Sequence, residues 1–250
     1  MVTGHSNRSC GLFVTGTDTG VGKTFVAACL AAILRSKGIC VGVMKPVETG
    51  CGLSQGRRIP RDGLLLKRMA AAQDPIEQIV PYRLKAPLAP LVAARMEGIR
   101  IRPGRIEKAY ERIRSSCSFM LVEGAGGVLV PVTDRLFMAD LIARLALPAL
   151  VVARAGLGTL NHTLLTVSFL QGRGIPVAGV ILNDVDGKKD LSKKTNAALL
   201  RRLLPVPVLG QIPFRKGLSL QCSTRTGPWA HLAGRHVDFE ALLRLAGAPR

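Results

Sequence analysis

Apolar residues occur along the chain in six short runs, separated by segments whose apolar positions follow a helical period. The runs occupy residues 12–16, 39–45, 118–124, 148–154, 176–183 and 207–213. Most are continuous rather than alternating, which is typical of strands buried on both faces. The intervening segments 24–37, 62–72, 105–115, 138–146, 159–172, 188–203 and 237–246 are predicted to be helices. This alternation predicts an α/β fold with a doubly wound, mostly parallel sheet and helices on both faces.

The same pattern favours a single domain over residues 1–250. A chain of 250 residues suits one large α/β domain, and neither an internal repeat nor a low-complexity linker divides it. Residues 50–61 are rich in glycine and arginine and are predicted to form the most mobile loop.

Composition excludes several classes of protein. Residues are 48% hydrophobic and only 4% aromatic, as expected for parallel strands covered by helices. No apolar run approaches the roughly 18 residues of a membrane span, and the N-terminus lacks the apolar stretch of a signal peptide. The six cysteines form no C-x-x-C pair, which indicates reduced thiols in the cytoplasm. The four histidines form no cluster, so histidine-based metal binding is not indicated.

The net charge of +19 raises the question of a nucleic-acid partner. The cations are spread along the chain, however, and few aromatic residues are available to stack on bases. We therefore predict a basic solvated surface rather than a nucleic-acid interface. Such a surface would also attract polyanionic substrates such as ATP.

Polar residues follow the predicted strands where each strand ends. They include Thr19 and Gly20 after the first strand, Lys45 after the second, Glu123 after the third and Asn183 after the fifth. Ligands of open parallel sheets gather at the carboxyl ends of the strands. The sequence therefore predicts a binding site at this edge.

The first of these loops, "VTGTDTGVGKT" at residues 14–24, has the character of a phosphate-binding loop. Gly20 and Gly22 allow backbone N–H groups to surround phosphate oxygens, and the next helix directs its positive end at them. Lys23 can reach the terminal phosphates, and the Thr24 hydroxyl can bind Mg²⁺. The spacing is one residue longer than G-x-x-x-x-G-K-[ST], so an ordinary strand-to-helix turn is the alternative.

Four further side chains each have a structural and a functional interpretation. Lys45 is either an exposed strand end or a cation that neutralises charge during phosphoryl transfer. Glu123 either forms a salt bridge or binds Mg²⁺. Asp62 either caps a helix or binds the same ion. Asn183 either forms a turn or contacts a purine. If Lys45 is exposed, Lys45→Ala should reduce turnover and leave the fold intact.

Taken together, the motifs resemble the dethiobiotin synthase family. "VTGTDTGVGKT", "KPVETG", "VEGAGG", "GLGTLNHTLLT", "ILND" and "LGQIP" occur in that family's order, over roughly residues 11–215. The family's loop, G-T-D-T-x-V-G-K-T, carries the same one-residue extension. The resemblance implies a P-loop NTPase-like fold and an ATP- and Mg²⁺-dependent cyclo-ligase. It would form the ureido ring of dethiobiotin from 7,8-diaminononanoate and CO2, in biotin biosynthesis.

The resemblance also implies a role for each matching position. Lys23, Lys45 and Thr19 would serve catalysis, and Thr24, Asp62 and Glu123 would hold the metal. The nucleotide would contact residues of the loop, of the third strand and of the last two strands: Gly20, Val21, Gly22, Lys23, Thr24, Phe25, Asp62, Glu123, Gly124, Ala125, Gly126, Asn183, Asp184, Pro213, Phe214 and Arg215. The diamine would contact Thr49, Lys45, Gly127, Gly158, Thr159, Leu160 and Asn161. The last four would bind the distal carboxylate across a homodimer interface.

Three features depart from the family or fall outside the resemblance. Some relatives have Glu where this chain has Gly20, and others have Ser where it has Thr49. Residues 216–250 match little of the family's pattern.

Other functions remain open at this point. An ATP-driven switch of the ParA and MinD type shares the fold, but such proteins place a second lysine where this chain has Asp18. A glutamine-dependent ligase of the cobyrinic acid type would need a glutaminase domain, for which we find no candidate Cys–His pair. A nucleic-acid-binding module rests on charge alone, and no membrane partner is expected.

Overall fold

The computed structural model describes residues 10–216 and 226–247. Its strands are β1 (Gly11–Gly16), β2 (Val41–Met44), β3 (Val47–Glu48), β4 (Gly52–Ser54), β5 (Arg57–Ile59), β6 (Tyr82–Arg83), β7 (Phe119–Gly127), β8 (Pro131–Thr133), β9 (Leu136–Phe137), β10 (Ala149–Arg154), β11 (Val177–Asn183) and β12 (Val208–Ile212). Its helices are α1 (Lys23–Ser36), α2 (Arg61–Ala70), α3 (Ile76–Ile79), α4 (Pro90–Met96), α5 (Pro103–Arg114), α6 (Met138–Leu145), α7 (Thr159–Gly172), α8 (Ser192–Leu203), α9 (Gly227–His236) and α10 (Phe239–Leu245).

The central sheet contains six strands in the order β12-β11-β10-β1-β7-β2. Every neighbouring pair in it is parallel, which confirms the predicted sheet. All six residues of β1 are buried, so helices cover both faces of the sheet there. Strand β1 lies between β10 and β7. The chain continues from β1 towards β2 on one side of the sheet, and from the neighbouring β10 towards β11 on the other side. A crevice therefore opens at its carboxyl end.

Helix α1 shows why the apolar pattern predicts these elements well. Eleven of its fourteen residues are buried, because α2 and α9 pack on it in addition to the sheet. Alanines such as Ala27 and Ala31, both fully buried, allow these neighbours to approach closely. The helix ends before Gly38, whose φ of 78° is in the left-handed region that glycine tolerates.

Residues 50–61, predicted to be the most mobile loop, contain regular structure that the sequence pattern did not predict. They include the antiparallel hairpin of β4 and β5, in which Leu53 pairs with Arg58. Its turn residues Gln55 and Gly56 both have positive φ, at 48° and 73°, as two-residue hairpin turns require. The strands are too short and too exposed to produce an alternating apolar pattern.

The C-terminal part contains a helix that the sequence pattern did not predict. Helix α9 packs along α1, and its Trp229 is fully buried with its ring 5.1 Å from that of Phe25. Its sequence, with a proline and two glycines, carries weak helical signals, so packing on α1 decides its position. A single domain over residues 1–250 stays a prediction. Within the described ranges, we find no helix with the length and apolar character of a membrane span.

Candidate functional site

The carboxyl ends of β1, β2, β7, β11 and β12 surround a cavity of about 850 Å³. Most residues proposed for the nucleotide, metal or reacting groups line it. These are Thr19, Gly20, Gly22, Lys23, Thr24, Phe25, Lys45, Thr49, Asp62, Glu123, Gly124, Ala125, Gly126, Asn183, Asp184, Pro213, Phe214 and Arg215. Residues separated by up to almost 200 positions therefore share one wall, because parallel strands end at the same edge.

The loop between β1 and α1 is shaped for close approach of a ligand. Gly20 and Gly22 have φ values of 73° and 90°, and Gly22 is the N-cap of α1. The Asn183 side-chain amide donates to the Val21 carbonyl oxygen at 3.0 Å. A Cβ atom at Gly22 would lie 2.1 Å from that amide nitrogen. Only glycine fits here without displacing Asn183.

Lys23 extends back over the same loop. Its Nζ donates to the Asp18 carbonyl oxygen at 2.8 Å, and the side chain is buried. Burial lowers the pKa of the Lys23 ammonium to about 8, Glu123 opposes this shift, and the Lys45 cation adds to it. An ammonium held by one neutral carbonyl oxygen can readily exchange that partner for a phosphate oxygen.

Lys45 is the centre of a charged cluster beside the loop. Its Nζ lies 2.5 Å from Glu123 Oε1 and 2.8 Å from Asp62 Oδ2. The Thr24 hydroxyl donates to the same Glu123 oxygen at 2.7 Å. These contacts bring together side chains from the residue after β2, the start of α2, β7 and α1.

The interpretation of Lys45 as an exposed strand end is wrong. The residue is only 5% exposed, because the β2 carboxyl end faces the cavity rather than open solvent. Burial opposes its positive charge, but the carboxylates of Glu123 and Asp62 outweigh this effect and raise the Lys45 pKa. Lys45 is therefore a fixed cation at neutral pH.

The cluster also offers suitable ligands for a hard cation. Glu123 is 1% exposed, and among the described residues its Oε2 atom has no hydrogen-bond partner. Together with Asp62 and the Thr24 hydroxyl, it presents oxygen ligands of the kind that Mg²⁺ prefers. The described residues contain no group of three or more Asp, Glu, His or Cys side chains placed to bind a metal. A small number of protein ligands is sufficient for Mg²⁺, because this ion usually keeps several waters and also binds substrate phosphates.

Glu48 is a wall residue that sequence reasoning missed. It lies in β3, is 4% exposed and accepts hydrogen bonds from the Asp62 and Gly63 backbone N–H groups at 3.0 and 2.9 Å. Burial raises the pKa of its carboxyl to about 7, and the negative charge of Asp62 acts in the same direction. A glutamate between Val47 and Thr49 gives no local sign of burial, so only the contact with α2 reveals it.

A second missed part of the wall is the segment that leads into α4, together with the first residue of that helix. Pro87, Leu88, Ala89 and Pro90 line the cavity, and they adjoin the side that carries Lys45 and Thr49. The Gly50 N–H donates to the Ala86 carbonyl oxygen at 3.2 Å and connects the two segments. The proline spacing in "APLAP" was the signal available in the sequence, since it predicts an extended turn before a helix.

Six of the proposed residues are not part of the cavity wall. Val21 and Gly127 lie in the surrounding chain, with the Val21 side chain buried. Gly158, Thr159, Leu160 and Asn161 lie at the start of α7, outside the cavity. Thr159 is buried with its hydroxyl 3.2 Å from that of Thr163, whereas Gly158 and Asn161 are exposed.

Comparisons with known proteins find a matching family model and relatives that cover most of this chain. A family model described as "AAA domain" matches residues 10–221. The ATP-dependent dethiobiotin synthetase BioD of Thermodesulfovibrio yellowstonii is 41% identical over 243 residues, 94% of this chain and 99% of that protein. The protein of the same name from Anaeromyxobacter dehalogenans is 45% identical over 209 residues, 84% of this chain and 92% of that protein.

A solved structure supports the fold alone. The MinC:MinD cell division protein complex of Aquifex aeolicus matches with a TM-score of 0.52 at 15% identity, covering 95% of this chain and 94% of that one. The chain therefore has a P-loop NTPase-like fold.

Proposed function

Because the chain belongs to the family of ATP-dependent dethiobiotin synthetases and is a ligase of biotin biosynthesis, we propose that it closes the ureido ring of dethiobiotin from 7,8-diaminononanoate and CO2. ATP is converted to ADP and phosphate. One observation carries the proposal: the charged cluster of Lys45, Glu123, Asp62 and Thr24 shares a cavity with the glycine loop. At about 850 Å³, that cavity has the size of a typical small-molecule site.

In the proposed reaction, one amine of the diamine adds to CO2 and loses a proton to give a carbamate. A carbamate oxygen then attacks the γ-phosphorus of ATP, and ADP leaves. The second amine attacks the carbonyl carbon of the resulting carbamic–phosphoric anhydride. Phosphate departs, the amine loses its proton, and the ring closes. No covalent bond to the protein is needed, so the protein acts by positioning and by neutralising charge.

The chain's own cations suit that task. Lys23 follows the glycine loop and would contact the terminal phosphates, and Lys45 lines the same cavity directly after the end of β2. The two cations would bracket the carbamate and the γ-phosphoryl group, which repel each other as anions. The hydroxyls of Thr19 and Thr49 line the same space and would orient the reacting groups.

Thr24, Asp62 and Glu123 would hold Mg²⁺, which supplies charge neutralisation on the phosphates when bound. At the carboxyl ends of β11 and β12, Asn183, Pro213 and Phe214 line the cavity and would enclose the adenine. Gly124, Ala125 and Gly126 line the cavity next to Glu123 and would contact the nucleotide.

We also propose a homodimer. Gly158 and Asn161 are exposed outside the cavity, and neighbouring Leu157 is 89% exposed. A second copy covering this surface would bring the start of α7 to the distal carboxylate of the diamine. Light scattering should give a mass near twice 26.6 kDa, and a monomer that makes dethiobiotin at full rate would reject the shared site. The cytoplasmic location inferred from the scattered cysteines stays a prediction.

The proposed reaction is tested by phosphate release from MgATP and bicarbonate, with and without 7,8-diaminononanoate, with dethiobiotin identified by mass. We expect release only with the diamine, in equal amounts to the product. Phosphate release that does not depend on the diamine and increases with DNA or lipid would instead indicate a switch of the MinD type.

Glu123→Gln should raise the Mg²⁺ concentration for half-maximal activity by about tenfold or more, because a neutral amide is a poorer ligand for a hard cation. Affinity for the nucleotide itself should change less, since Glu123 is not part of the glycine loop. The measurement is a Mg²⁺ titration at saturating ATP, alongside nucleotide binding without metal. An unchanged titration would remove Glu123 from the metal site.

A further inference from the structure

Helix α2 begins without a capping side chain of its own. Its N-cap is Pro60, which makes no side-chain hydrogen bond to the first turn. The N–H groups of an uncapped first turn need partners, and leaving them unpaired in a buried place is costly. Here two of them, from Asp62 and Gly63, point at Glu48.

Glu48 supplies the missing cap from another part of the chain. Its Oε1 accepts from the Asp62 N–H at 3.0 Å and its Oε2 from the Gly63 N–H at 2.9 Å. Both oxygens of one carboxylate are thus used on successive amides. When it is ionised, Glu48 also places a negative charge at the positive end of a ten-residue helix, which strengthens the contact.

The packing leaves the first turn of α2 little freedom. A Cβ atom at Gly63 would lie 2.1 Å from Val80 Cγ2 and 3.5 Å from the Glu48 carboxylate. Glycine at this position therefore lets the turn lie directly against Val80 while its amide reaches Glu48. Glu48 itself is held because β3 pairs with β6, where it faces Arg83 in register.

The residue held in this way is Asp62. Its carboxylate is 2.8 Å from Lys45 Nζ and belongs to the cluster that includes Glu123. Asp62 has a short side chain, so its carboxylate follows the position of its backbone closely. Movement of the first turn of α2 would move that carboxylate away from Lys45 and Thr24.

We infer that Glu48 is a positioning residue of the active site: by binding the first turn of α2, it holds the Asp62 carboxylate where Mg²⁺ and Lys45 need it. The inference rests on the proposed function, in which Asp62 is a metal ligand. It assigns Glu48 no contact with the reacting atoms.

The test compares Glu48→Gln with Asp238→Ala. Gln keeps the shape of Glu48 but removes the charge and replaces one acceptor with a donor. Asp238 is a matched control, since its carboxylate caps α10 by accepting from the Ala241 N–H at 3.0 Å and does not line the cavity. If Glu48→Gln does not yield folded protein, Glu48→Asp, which keeps the charge on a shorter side chain, takes its place.

Two measurements are made on each full-length variant. Hydrogen exchange should be about tenfold faster at the Asp62 and Gly63 amides in Glu48→Gln, as expected from loss of a charged cap. Electron paramagnetic resonance of Mn²⁺ with a non-hydrolysable ATP analogue should show metal affinity weakened by about fivefold or more. Asp238→Ala should speed exchange at Ala241 and leave Mn²⁺ affinity within about twofold of the parent value.

The inference is overturned if exchange at Asp62 and Gly63 is unchanged, or if exchange is faster while Mn²⁺ affinity is not altered. Asp62→Asn separates this failure from failure of the proposed site. If Asp62→Asn weakens Mn²⁺ binding and Glu48→Gln does not, only the role of Glu48 is rejected. If Asp62→Asn also has no effect, the proposed metal ligands are wrong and the inference falls with them.

Discussion

Lys45→Ala should lower kcat for dethiobiotin formation by about a hundredfold or more, because a positioned charge in a closed site is among the strongest contributors to catalysis. It should also lower the free energy of unfolding, by about 3–5 kcal/mol, since Glu123 and Asp62 would lose their common cation inside the protein. The measurements are initial rates at saturating substrates and denaturant unfolding without metal. Added Mg²⁺ should stabilise the variant more than the parent protein, because it restores a cation beside these carboxylates.

Lys37→Ala is the matched control for this substitution. Lys37 also pairs with a carboxylate, Glu240 at 3.6 Å, but their side chains are 46% and 74% exposed. Exposed pairs contribute about 0–1 kcal/mol, so stability and rate should both stay near the parent values. Full activity in Lys45→Ala would remove Lys45 from the mechanism, and unchanged stability would mean that its buried ion pairs contribute nothing.

Gly22→Ala should weaken binding of ATP by roughly a hundredfold. A methyl group at this position would lie 2.1 Å from Asn183 Nδ2, on a backbone whose φ is 90°. Either the loop shifts, which misplaces the N–H groups that would surround the phosphates, or Asn183 loses its hydrogen bond to Val21. Calorimetry with a non-hydrolysable ATP analogue measures the loss directly.

Gly38→Ala separates steric conflict from backbone strain. Gly38 has a similar φ of 78°, but among the described residues, apart from its two chain neighbours, no atom lies within 4 Å of where its Cβ would be. Gly38→Ala should lower the free energy of unfolding by about 1 kcal/mol, because alanine is strained in the left-handed region, and it should leave nucleotide affinity unchanged. Equal affinities in the parent, Gly22→Ala and Gly38→Ala proteins would contradict the role given to this loop.

The local pattern predicted the sheet correctly, and the glycine loop lies between a strand and a helix as expected, from β1 to α1. The six strands lie within a few residues of their predicted bounds, because continuous apolar runs report burial on both faces without knowledge of the neighbours. The convergence of polar residues at one edge also follows from strand direction alone. Helix α9 and the hairpin of β4 and β5 were missed because their stability depends on what they pack against.

The residues of the site also fall into two groups, those that local sequence identifies and those that only tertiary contacts reveal. Lys23 and Thr24 could be identified from the local sequence, because the loop and the helix start that orient them are contiguous in the chain. Sequence could not identify three other features: the burial of Lys45, the cap that Glu48 provides and the hydrogen bond from Asn183 to Val21. Thr24 and Glu123 are 99 positions apart, Lys45 and Glu123 are 78 apart, and Asn183 and Val21 are 162 apart. Sequence alone determined which groups were available and at which edge, because periodicity and strand direction are local properties. Only the tertiary structure decided which groups form hydrogen bonds and ion pairs with one another, because those interactions act over a few ångströms between distant parts of the chain.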